Sequence, residues 1–76
     1  MVRTRFKVTR ISYTEIADVE AREITLTPVP ASKDNVNDVF GGGAPTGSLH
    51  VLFGPKTAWE EFPLGSEVYI DLTPIV

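Results

Sequence analysis

The sequence predicts a mainly β fold: a small curled antiparallel sheet, or a partly open barrel, of four or five strands with one short helix near 56–62. Three observations carry this expectation. Apolar and polar residues alternate over Val2–Val8, Leu49–Phe53 and Val68–Leu72, the period of two that marks a half-buried strand. Glycine and proline punctuate the ends of these runs, as at Pro28, Gly54-Pro55 and Pro74. The chain has 76 residues, enough for a single β-rich domain over 1–76.

The elements follow in order. In Val2-Arg-Thr-Arg-Phe-Lys-Val8, Val2, Thr4, Phe6 and Val8 share one side and Arg3, Arg5 and Lys7 the other. This first strand continues to Tyr13, and its pattern drifts at Arg10-Ile11, the mark of a bulge or a bend. Residues 14–18 form a connection. Residues 19–27 end in the β-branched run Ile24-Thr-Leu-Thr27 and read as a second strand, the hairpin partner of the first. A short helix over 15–22 is the rival reading, because Glu, Ala and Arg are good helix formers.

Proline at 28 and 30 stops the second strand, since proline cannot donate to a ladder. A long Gly/Pro-containing loop or arm then spans 28–47, with Val39-Phe40 as an apolar island and Gly41-Gly42-Gly43 beside it. Patternless stretches of this length in compact domains are generally functional or disordered. Ser48–Phe53 is a third strand, with Leu49, Val51 and Phe53 on one face and His50 and Leu52 on the other. Lys56–Phe62 reads as one or two helical turns that place Trp59 and Phe62 on the same side. After a turn at Pro63-Leu-Gly65, Glu67–Leu72 is a strand with Val68, Ile70 and Leu72 inward and Glu67, Tyr69 and Asp71 outward.

Size and composition bound the possibilities. A domain this short buries only about 60% of the surface its unfolded chain exposes. A core of this size supplies roughly 3–5 kcal/mol, so small domains add disulfides, a metal or a second subunit. The chain has no cysteine, which excludes disulfides and thiol chemistry, and its one histidine, His50, cannot build an ordinary zinc site. Self-association remains, and a homo-oligomer is expected. No metal and no cofactor are expected either. No apolar run approaches the ~20 residues that span a bilayer, and the alternating start is unlike a signal peptide. The expectation is a soluble, cytoplasmic protein with no membrane partner. The net charge of −3 argues against duplex nucleic acid as a partner. The charge is unevenly placed, with four of the seven cations (Arg3, Arg5, Lys7 and Arg10) in the first ten residues.

Each candidate for chemistry has a plainer reading beside it. The triple glycine is not a P-loop: Ala44-Pro45 follows it, no lysine is near, and a strand comes next. Backbone N–H groups around Gly41, Gly42, Gly43 and Thr46-Gly47 suit an anion nest; a loop tip or subunit-contact arm is the plainer reading. Arg3, Arg5 and Lys7 on one strand face suit phosphates, with Tyr13 and Tyr69 as stacking surfaces if they share that face. The plainer reading is a solvated face whose cations discourage edge pairing and meet cross-strand acids such as Glu23, Glu67 or Asp71. His50 has no general acid–base partner nearby in sequence, and Glu60-Glu61 diverge on a helix. Trp59 with Phe62 covers the open end of the sheet; an exposed Trp59 would instead anchor an interface, as would Val39 and Phe40.

Three pieces of the chain resemble small uncharacterised proteins of tailed bacteriophages. They are the basic alternating opening Val2–Val8, the turn Ala44-Pro-Thr-Gly-Ser-Leu49, and the ending Phe62-Pro-Leu-Gly-Ser-Glu-Val-Tyr-Ile-Asp-Leu-Thr-Pro74. The last is similar to the pattern F-x-x-G-x-E-x-Y-x-D-x-T-P of those proteins. The chain departs from them in its triple glycine and in Val68 and Leu72, at positions that are often aromatic. The resemblance implies a phage origin and carries no functional residue across. With it, the expected function is a non-enzymatic phage accessory protein acting in the host cytoplasm by binding a host protein or a phosphorylated, nucleotide-type small molecule at a subunit interface. The ligand-binding candidates are Arg3, Arg5, Lys7, Gly41, Gly42, Gly43, Thr46 and Tyr69. The alternative is a virion protein, a cement or decoration protein bound to the capsid shell.

Overall fold

The computed structural model describes residues 1–30 and 46–75. Four strands, β1 (Val2–Ile16), β2 (Val19–Pro28), β3 (Leu49–Phe53) and β4 (Glu67–Leu72), form one antiparallel sheet in the order β3-β2-β1-β4. A single helical turn, α1 (Lys56–Trp59), lies between β3 and β4 in the chain. The fold is therefore mainly β, and the sheet is open, with β3 and β4 at its edges. Val39, Phe40 and the three glycines of the 28–47 loop lie outside the described residues.

β1 is the spine. Its first part, Val2–Lys7, pairs with β4, and from Phe6 to Ile16 it pairs with β2. The pattern drift in the sequence corresponds to a real irregularity. Val8 pairs with Leu26 and Arg10 with Thr25, which leaves Thr9 as the extra residue of a bulge. One extra residue reverses the parity of a strand. Val8 and Ile11, three apart, consequently sit on the same face, each opposite an apolar residue of β2.

The hairpin between β1 and β2 corrects the sequence expectation. Residues 14–16 are strand, and the turn is only Ala17-Asp18, with φ of 50° and 65°. Positive φ at both central residues is the type I′ geometry whose twist matches that of flanking strands. The helical alternative over 15–22 is not formed; Glu15 pairs with Glu20 and Ile16 with Val19 across the hairpin. The helix near 56–62 is shorter than expected, ending at Trp59.

The cross-strand pairs place Phe6, Val8, Ile11, Ile24, Leu26, Val51, Phe53, Val68 and Ile70 on one face. Val8, Ile24 and Leu26 form the buried centre of that face, and Trp59 and Phe62 pack onto it from the α1 segment. The Phe53 and Phe62 rings stack with centroids 5.7 Å apart. Thr4 is the one buried polar residue among the described positions, and its hydroxyl donates to the Ile70 carbonyl at 2.9 Å. That bond removes the penalty of burying a hydroxyl on an apolar face. The turn before β4 is closed by the Ser66 N–H donating to the Pro63 carbonyl, with Gly65 at φ 87°, a value that suits glycine. The Gly65 N–H in turn donates to the Val8 carbonyl at 2.9 Å, and the Val8 N–H donates to the Ser66 carbonyl. These two bonds tie the turn to β1 at the bulge.

Two stability outcomes follow. Ala17 adopts a left-handed conformation that costs a residue with a Cβ roughly 1–2 kcal/mol, and asparagine tolerates it better. Ala17→Asn should therefore raise the urea midpoint by the equivalent of about 1 kcal/mol with an unchanged m-value. Ile24→Ala should cost about 2–5 kcal/mol, comparable to the whole stability of a body this small. A neutral outcome for Ile24→Ala would mean that the apolar face is not the core.

Candidate functional site

The face opposite the core is built by the same register. Arg3 pairs with Asp71, Arg5 with Tyr69, and Lys7 with both Glu67 of β4 and Thr27 of β2. Strand alternation alone puts all six charged and aromatic side chains on one surface. Arg10 joins them beyond the bulge, opposite Thr25.

The arginines are engaged. The Arg3 guanidinium makes a two-pronged contact with Asp71, Nε to Oδ1 at 2.8 Å and Nη2 to Oδ2 at 3.0 Å. It also lies over the Tyr69 ring, 4.9 Å from the centroid. Arg5 Nε reaches Glu67 Oε1 at 2.7 Å. The pairs are diagonal as well as direct: Arg3 covers Tyr69, and Arg5 reaches the residue two before its own partner. Tyr69, fixed beneath Arg3, remains 62% exposed. The hydrogen bond and charge of Arg3 hold the Asp71 carboxyl below its usual range, despite some desolvation. Reciprocally, the hydrogen bond that Arg3 donates to Asp71 and the charge of that carboxylate raise the Arg3 pKa further above an already high value.

The core face supplies a second feature. Where β3 and β4 rise on either side, Ile24, Leu26, Val51, Phe62, Val68 and Ile70 line an open apolar cavity of about 160 Å³. At the far end, Arg22 is stacked between Tyr13, 4.1 Å from its guanidinium carbon, and Trp59, 4.6 Å away. Its fork also donates to the Ala21 carbonyl at 3.0 Å and pairs with Glu20. This contact relieves the like-charge pair of Glu15 and Glu20 across the hairpin.

The expected site residues are thus partly assembled. Arg3, Arg5, Lys7 and Tyr69 share one face. Thr46 is exposed and lies ahead of β3, while Gly41, Gly42 and Gly43 lie outside the described residues. Tyr13 does not join Tyr69: it pairs with Arg22, which pairs with Phe53, and so belongs to the core side. The cause is the bulge, which reverses the parity of β1 between the two halves. Trp59 is half-buried against the core cluster and the Arg22 stack, in keeping with the covering role. Arg22 was not among the candidates. Its signal was its parity with Ile24 and Leu26, an arginine in line with core residues. His50 is not isolated: Thr25 Oγ1 lies 3.0 Å from its Nδ1, and Glu23 Oε1 lies 4.0 Å away.

No cluster of three or more metal-ligating side chains occurs among the described residues, and no helix there is long and apolar enough to cross a membrane. No protein-family model matches the chain, and no curated protein or solved structure matches it either.

The Arg3–Asp71 pair makes a pH prediction. The Asp71 pKa is lowered in the folded state, so its contribution is fully present above the unfolded carboxylate value and is lost as pH falls through the folded value. The stability gap between the wild type and Asp71→Asn should be constant from neutral pH down to about 5 and should close below about 4. A gap that did not narrow at all as pH fell below the ordinary carboxylate range would show that the pair is not ionic in character.

Proposed function

We propose that this protein is a non-enzymatic binding protein of a tailed bacteriophage, which occupies a surface of a host protein in the host cytoplasm during infection. The observation that carries the reading is Tyr69, an exposed aromatic ring locked beneath Arg3, which is itself clamped by Asp71. Tyrosine and arginine are the side chains that most often dominate protein–protein contacts. Holding them in place beforehand lowers the ordering cost of association. Lys7 and Arg10 add positive charge to the same face, which favours encounter with an acidic partner surface.

The same ion pairs favour a protein over a phosphorylated small molecule. Each of Arg3 and Arg5 already holds a carboxylate, and a phosphate would have to displace it. They also speak for binding over catalysis. A carboxyl kept ionised by a neighbouring guanidinium is poorly matched to proton transfer near neutral pH.

The test is capture of host proteins by the tagged full chain from infected cells, compared with Tyr69→Ala, Arg3→Ala and the control Glu61→Ala. The reading expects Tyr69→Ala to weaken the specific interaction by about 30-fold or more, with the control unchanged. Capture indifferent to Tyr69 and Arg3 would overturn it. So would stoichiometric recovery of the chain from purified virions, the result expected of a capsid cement protein.

A further inference from the structure

We propose that β3 is the seam of a homodimer, in which two copies add their β3 strands antiparallel about a twofold axis at Val51. The seam lies at the edge of the sheet opposite the strand that carries Tyr69, so the two readings fail separately.

β3 is an edge strand, and among the described residues only β2 pairs with it. Its outer backbone groups therefore have no strand partner among the described residues. Native sheets blunt such edges with charge, proline or a covering element, because an exposed apolar edge templates pairing with another chain. The two edges of this sheet are treated differently. β4 carries Glu67 and Asp71. β3 reads Leu49-His-Val-Leu-Phe53, with no acid, lysine or arginine, and Leu49 and Leu52 are exposed at 37% and 47%.

A second copy is the occupant that this edge matches. With Val51 opposite its own symmetry mate, Leu49 meets Phe53 of the other copy on the core side, and His50 meets Leu52 on the outer side. Opposed residues in an antiparallel pair share a face, so this register joins apolar side to apolar side and brings no like charges together. The equivalent β4-to-β4 contact would crowd Asp71 and Glu67 of both copies along one seam. A β3-to-β4 contact is head-to-tail and need not close, whereas the β3 pair is its own complement and closes at two.

The core supports the same occupant. Among the described residues the buried core cluster is only Val8, Ile24 and Leu26. Leu49, Val51 and Phe53 border the open apolar cavity. The seam sets a second copy of these three side chains alongside the first and extends the apolar layer across two sheets. That is the staple expected of a cysteine-free body of this size.

Sedimentation equilibrium of the full chain should give twice the 8.3 kDa protomer mass. His50→Lys with Leu52→Lys sets like charges opposite each other at the seam and should give monomers, as should His50→Glu with Leu52→Glu. Mixed in equal amounts, these two variants should recover the dimer, because each introduced lysine then faces a glutamate. Should either pair of substitutions lose the sheet signal by circular dichroism, Val51→Cys provides the second reading. In a chain with no other cysteine it should oxidise to a covalent dimer, whereas Tyr69→Cys should not. A monomeric wild type across the micromolar range overturns the proposal. So does a dimer indifferent to the lysine pair, a failure of the mixture to associate, or a Val51→Cys chain that oxidises no faster than Tyr69→Cys.

Discussion

The structure depends on one strand keeping two partners. β1 pairs with β4 through Lys7 and with β2 from Phe6 onward, so the two ladders overlap at Phe6 and Lys7, and backbone bonds at Arg5 and Val8 extend the doubly flanked stretch on either side. At the end of this overlap the Thr9 bulge resets the parity, and the turn before β4 is anchored by backbone bonds to Val8. Without the reset, Ile11 would face solvent whenever Val8 faced the core, and Ile24 would lose its cross-strand partner. A one-residue change in phase inverts every side chain that follows. The bulge is thus the device that lets a single long strand present apolar residues to the core along both halves of its length.

The two faces of the sheet divide the work. Among the described residues the core face is covered by Trp59 and Phe62, and residues of β2, β3 and β4 line an apolar cavity on it. The opposite face is polar, with arginines, acids and Tyr69 set in diagonal pairs. Exposed pairs of this kind contribute little to stability. Their effect here is positional: they hold the ring of Tyr69 and the fork of Arg3 in one arrangement. A net-acidic chain thereby carries a local patch of opposite sign, built by strand alternation from its first ten residues.

Much of this was legible from the residues. Alternation located β3 and β4 and the start of β1, because period two survives wherever one face is buried and the other wet. The phase slip at Arg10-Ile11 announced the bulge. That acids on facing strands would meet the cations of β1 was legible from residue type, with Glu23, Glu67 and Asp71 as the candidates; Asp71 and Glu67 take Arg3 and Arg5, whereas Glu23 lies beside His50. The hairpin was not legible: Ala17-Asp18 lacks the asparagine or glycine that normally marks a two-residue turn, and the helix-forming residues around it obscured the strands. The separation of Tyr13 from Tyr69 was hidden for a related reason. A bulge visible as a drift does not say which residue is extra, and the faces of all later residues hang on that choice. Arg22 escaped notice because a charged residue at a core parity looks like an error until two aromatic rings are seen to enclose its guanidinium.

The most direct test is the pairing of β1 with β2 across the bulge, read by nuclear Overhauser contacts between backbone protons of the isotope-labelled chain. The account predicts contacts linking Val8 with Leu26, Arg10 with Thr25 and Ile11 with Ile24, and Thr9 without a residue directly opposite. An uninterrupted ladder, with Thr9 across from Thr25 and Arg10 across from Ile24, would place Arg10 in the core and contradict it.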